Sequence, residues 1–191
     1  MKVLKFILPL FIVFTGVAFA HDPVEHNSPK ASYFDFPWRD LDAFPSSHPL
    51  IVHFVIVLLI VGAILYGVNV YFRKPSLYWT ALILYILGLG AAYLASYPLH
   101  PHTAGLTEAA QEIMYLHDFW AYNTLTIGTI GAVLMMGNLI LFKRNRIAMT
   151  AVALVLLLTS YAVSMAGHYG AHLVHIEGVG PKGEFLEMHE H

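Results

Sequence analysis

Four long apolar stretches, at about 50–72, 77–99, 113–142 and 147–170, leave this chain few ways to fold. Each is long enough to cross a hydrocarbon core as a helix, which takes about 20 residues. In lipid the backbone polar groups must be satisfied within the protein, and a continuous apolar stretch of this length does so as a helix. Only 12 % of the 191 residues are charged, about half the share a soluble surface needs. The net charge of −2 leaves no basic footprint for a nucleic acid. With no cysteine there are no disulfides, iron–sulfur clusters, thiolate zinc sites or covalently attached c-type haem.

The chain opens with Lys2 and Lys5, an apolar run, and Ala18-Phe19-Ala20, the pattern of a secretory signal peptide cleaved after Ala20. Residues 21–47 are polar and proline-bearing and read as an external arm, with Tyr33, Phe34, Phe36 and Trp38 suited to the headgroup level. Arg73-Lys74 follows the first apolar stretch, and Lys143-Arg144-Asn145-Arg146 follows the third. By the positive-inside rule these two loops are cytoplasmic, and both termini and the 100–110 loop are external. The signal peptide predicts the same orientation. The expected architecture is an all-α membrane protein, an antiparallel four-helix transmembrane bundle over 48–180 with an external histidine-rich tail at 181–191. It belongs in the inner (cytoplasmic) membrane. Glycines along the stretches suit close helix packing, and Gly88 and Gly90 suggest room for a flat ligand.

All 12 histidines fall in the external half of this topology. Counting up from the basic anchors at about 1.5 Å per residue places His53 at about 30 Å and His168 at about 33 Å. On the same count His48 lies at about 37 Å, and His100, His117 and His172 at about 39 Å. The hydrocarbon core is about 30 Å thick, so all four helices bring imidazoles to one layer near the outer boundary. His168, His172 and His175 share a stripe at i, i+4, i+7. His117 shares a face with Met114, Ala121 and Thr124, with Glu108 and Glu112 in line above it. Polar groups facing lipid are costly, so these stripes are expected to face the bundle or an aqueous pocket. In Ser46-Ser47-His48-Pro49 a serine is expected to cap the first helix, with Pro49 in its first turn. His100 and His102 flank Pro101 and read as loop residues, and His21, His26, His189 and His191 as groups on flexible termini.

Three segments resemble a prokaryotic membrane-protein family, domain of unknown function 2231. His48-Pro49-Leu50-Ile51-Val52-His53-Phe54 is similar to the family's opening His-Pro-x-x-Val-His-Phe helix. His117 with Asn123 is similar to its third-helix histidine and asparagine. Gly167-His168-Tyr169-Gly170-Ala171-His172-Leu173-Val174 with Gly178-Val179-Gly180 is similar to its closing segment. The family usually carries proline where this chain has Val55. The resemblance covers about 48–180 and implies a four-helix membrane domain without a settled activity.

Three functions suit a histidine layer in such a bundle. The first is a non-covalent b-type haem with two imidazole ligands drawn from His53, His117, His168 and His172, passing electrons near the external face to a quinol or periplasmic cytochrome. His53 pairs with His117 by the family motif and with His168 by depth. The second is a copper, zinc or iron site drawn from His48, His53, His117, His168, His172 and Glu112, with Met114 or Met165 as a soft ligand. The third is a cofactor-free assembly subunit of a respiratory complex, its histidines bonding helix to helix. In each case the lipid bilayer is the immediate partner, and an electron-transfer component suits the pattern better than a stand-alone enzyme.

Overall fold

The computed structural model describes residues 46–180 and 184–186. The expected signal peptide, nearly all of the external arm and most of the 181–191 tail lie outside the described residues. Four helices account for almost everything described: α1 (His48–Phe72), α2 (Pro75–Ser96), α3 (Glu108–Ile140) and α4 (Arg146–His175). Among the described residues the β structure is limited to one isolated bridge, Thr103 to Leu186. All four helices are long and apolar enough to cross a membrane.

Local chemistry sets the helix ends. Pro75 cannot continue α1 and sits in the first turn of α2, with Lys74 before it in an extended conformation. Arg73 closes α1 in the left-handed region at φ 53°, its N–H donating to the Asn69 carbonyl. The Asn69 side chain then takes the Lys74 N–H at 2.7 Å. Thr107 caps α3 by accepting the Ala110 N–H, so α3 begins five residues before the expected 113. Asn145 caps α4 through Ile147 and Ala148. At α1, Ser47 holds the cap position without a side-chain bond, and the Ser46 hydroxyl instead accepts the His48 N–H at 3.1 Å.

Each helix packs on its sequence neighbour, and α4 closes the ring against α1. Tyrosines fill the centre. Tyr66, Tyr78 and Tyr85 are fully buried, and each hydroxyl is satisfied. Two of these bonds cross the diagonals: Tyr85 of α2 donates to Thr159 of α4 at 2.9 Å, and Asn138 of α3 donates to Tyr66 of α1 at 3.1 Å. Gly131 makes room for the first, since a Cβ there would stand 2.9 Å from the Tyr85 hydroxyl. The space at Gly88 is taken by Leu59, 3.0 Å from where a Cβ would be, so this glycine serves helix packing and no flat ligand. The outer faces are apolar too, with Phe54, Val57, Ile64, Ile83, Leu87, Val133, Leu154 and Leu158 exposed. Exposed aromatics gather at both ends of the bundle, Tyr93, Tyr97, Tyr115 and Tyr122 at one and Tyr71, Phe72 and Trp79 at the other.

Candidate metal centre

The two helical hairpins repeat. His48 and His117 lie 69 residues apart, as do Val52 and Ala121, Val55 and Thr124, Gly62 and Gly131, and Asn69 and Asn138. On the partner helices the spacing is 71: Ala92 with Val163, Ala95 with Ala166, Ser96 with Gly167. The two-residue difference comes from the longer α3–α4 turn. Matching positions make matching bonds. His48 places Nδ1 3.0 Å from the Ala95 carbonyl oxygen, and His117 places Nδ1 2.9 Å from that of Ala166.

These pairs enclose one cavity. It is about 50 Å³, and twelve of its fourteen lining residues are the six pairs His48/His117, Val52/Ala121, Val55/Thr124, Ala92/Val163, Ala95/Ala166 and Ser96/Gly167. Ile56 and His100 complete it. The cavity therefore lies between the repeats, with imidazoles at its mouth and small apolar residues below. Gly170 leaves space for the His117 ring, whose nearest atoms lie 3.3 Å from the position a Cβ would take.

The rings of His48 and His117 stand 6.4 Å apart between centroids, and those of His48 and His100 stand 5.5 Å apart. A carbonyl oxygen only accepts, so Nδ1 carries the proton in His48 and His117, and a neutral ring then keeps its Nε2 lone pair free. On His100, Nε2 lies 3.5 Å from the Asp118 carboxylate, leaving Nδ1 as its free edge. All three imidazoles thus have one nitrogen turned to an oxygen acceptor. That is how metal-binding histidines are oriented and made more basic. One ligand atom from each of His100, His117 and Asp118 lies within 4.8 Å of the others. Two imidazoles on opposite sides of an ion, each bonded at about 2.0–2.1 Å, stand about 6 Å apart between centroids, and closer as the angle narrows. The 5.5 Å separation suits one ion at a bent angle, the 6.4 Å separation only a nearly linear one, and His48 stands outside the 4.8 Å group.

The other expected residues lie elsewhere. His53 is exposed on the outer face of α1, its Nδ1 2.6 Å from the carbonyl of Pro49 in its own helix. It does not line the cavity, so the pairings of His53 with His117 or His168 are not formed. His168 is exposed beside Tyr169. His172 faces Glu177 at 3.4 Å, where the chain turns back after α4. Glu112 is exposed, and Met114 packs with Ala110, Leu173 and Val179 beneath the closing segment. Of the expected ligands the structure gathers His48 and His117. It adds His100, expected to be a loop residue, and Asp118, which no sequence motif singled out. The repeat is the sequence signal for the His48/His117 pairing, since His48 precedes Asn69 by 21 residues and His117 precedes Asn138 by 21, and it marks neither His100 nor Asp118.

No family model, curated protein or solved structure matches this chain. The functional reading therefore rests on this geometry.

Proposed function

We propose that this is a multi-pass membrane protein that holds one transition-metal ion, copper, zinc or iron, at the external mouth of its bundle. His48, His100 and His117 are the ligands, and Asp118 orients His100. The observation that carries the reading is the shared arrangement of three imidazoles from α1, the α2–α3 loop and α3, each with one nitrogen held by an oxygen and the other free. Neutral nitrogen donors suit these borderline metals over calcium or magnesium. Three protein ligands leave a position open, as in catalytic rather than structural sites. The apolar outer faces and the aromatics at both ends support a bilayer setting. The basic turns after α1 and α3 support an orientation with the site outside, in the inner membrane.

Elemental analysis of the detergent-purified protein after metal loading tests this reading. One equivalent per chain is expected, and a protein that keeps no copper, zinc or iron overturns it. A second reading takes the matched His48/His117 pair as two imidazole ligands of a haem, for electron exchange with a quinol or periplasmic cytochrome, and the 6.4 Å between their rings is what supports it. A cavity of about 50 Å³ suits an ion and a small ligand, whereas a porphyrin needs the volume now held by Ala121, Thr124 and Val163. A reduced-minus-oxidised visible spectrum separates the two, since only haem gives sharp bands.

A further inference from the structure

Below the imidazole layer the cavity continues inward for two helical turns. From His117 to Thr124 is seven residues, about 10 Å along the axis. Its walls there are Val52, Val55, Ala92, Ala121, Val163 and Ala166. The one hydroxyl at this depth, on Thr124, already donates to the Trp120 carbonyl at 2.8 Å. What is left there is the acceptor side of that single oxygen, one partner for a water and none for a carboxylate. A water occupies about 30 Å³ of liquid and needs two or more polar partners, whereas apolar cavities stay dry and take up gases such as xenon. In cores filled to crystal-like density, a void ringed by three alanines and three valines from both repeats is a built feature.

We infer that this chamber binds a neutral diatomic molecule of the class of dioxygen, nitric oxide or carbon monoxide, and presents it to the open position of the ion above. The inference rests on the metal reading for its second half only. The chamber itself is apolar and of the right size with or without an ion. The helices around it are apolar on their outer faces, and small nonpolar gases concentrate in lipid.

The repeat supplies the variant that tests it. Ala92 matches Val163 and Ala121 matches Val52, so Ala92→Val with Ala121→Val gives each half the residue its counterpart already carries. No imidazole is altered. Xenon uptake by the metal-free protein, read by 129Xe chemical shift, is expected to saturate at one site and to fall at least tenfold in the double variant. The copper-loaded, reduced protein is expected to bind carbon monoxide with a single C–O stretch in the infrared. In the double variant that band weakens tenfold while the copper content stays at one per chain. Absence of saturable xenon binding in the unaltered protein overturns the chamber. Carbon monoxide binding equal in both proteins overturns its role as the ligand's site. A protein that takes up xenon but no metal leaves the chamber standing and removes the metal reading, so the two failures are distinguishable.

Discussion

His48 and His117 meet across the bundle with ring centroids 6.4 Å apart, each anchored by Nδ1 to a carbonyl at the same step of the following helix. One geometry is thus built twice, once per hairpin, and it faces itself at the mouth of the cavity. His100 and Asp118 have no counterparts, since the matching positions hold Ala171 and Pro49. The site is a symmetric pair completed from one side.

Replacing His48 or His117 by alanine should lower metal content from one equivalent to below about a tenth. His53→Ala and His168→Ala should leave it unchanged, because both rings are exposed away from the cavity. Inductively coupled plasma analysis of the four proteins checks this, with gel filtration to confirm folding. Loss in the His53 variant but not the His48 variant would reverse the assignment.

Asp118→Asn keeps the shape beside His100 and removes the charge 3.5 Å from its Nε2. Removing such an orienting partner typically weakens metal binding roughly 10–100-fold. A competition titration against a chelator should show that loss, with thermal unfolding of the apoprotein unchanged because the carboxylate is exposed.

Gly170→Val should act on the site from a distance. Its new side chain begins 3.3 Å from the His117 ring, and its branches push Nδ1 away from the Ala166 carbonyl. Metal affinity should fall about tenfold or more by the same orienting logic. Undisturbed affinity would mean that the ring has another stable position.

Gly131→Val should destabilise the bundle without touching the site. Its Cβ would stand 2.7 Å from Leu156 and 2.9 Å from the Tyr85 hydroxyl. Overpacking of this kind costs about 1–3 kcal/mol. Tyr85→Phe, which gives up the bond to Thr159, should cost about 1 kcal/mol. Thermal unfolding in detergent ranks the two.

Single cysteines in this naturally cysteine-free chain test the orientation. Ala104→Cys should react with an impermeant maleimide on intact cells, and Lys143→Cys only after the membrane is opened. The reverse pattern would put the site on the cytoplasmic side.

Helix number, helix ends within a few residues, and the gathering of imidazoles at one end are all properties of order along the chain, and the sequence by itself determined them. Apolar stretches of spanning length, Pro75, Asn145 and the basic turns act locally. The direction in which each histidine points was decided only by the tertiary structure. On an amphipathic helix the polar face reveals the direction, but these helices are apolar on every side, with buried Leu59 and exposed Val57 on the same element. His48 and His53 are five residues apart, about 140° around the helix, so one faces inward only if the other does not. Their depths were legible and their facing was not. Packing chose His48, because that register sets Leu59 against Gly88 and sends Tyr66 to Asn138 across the bundle.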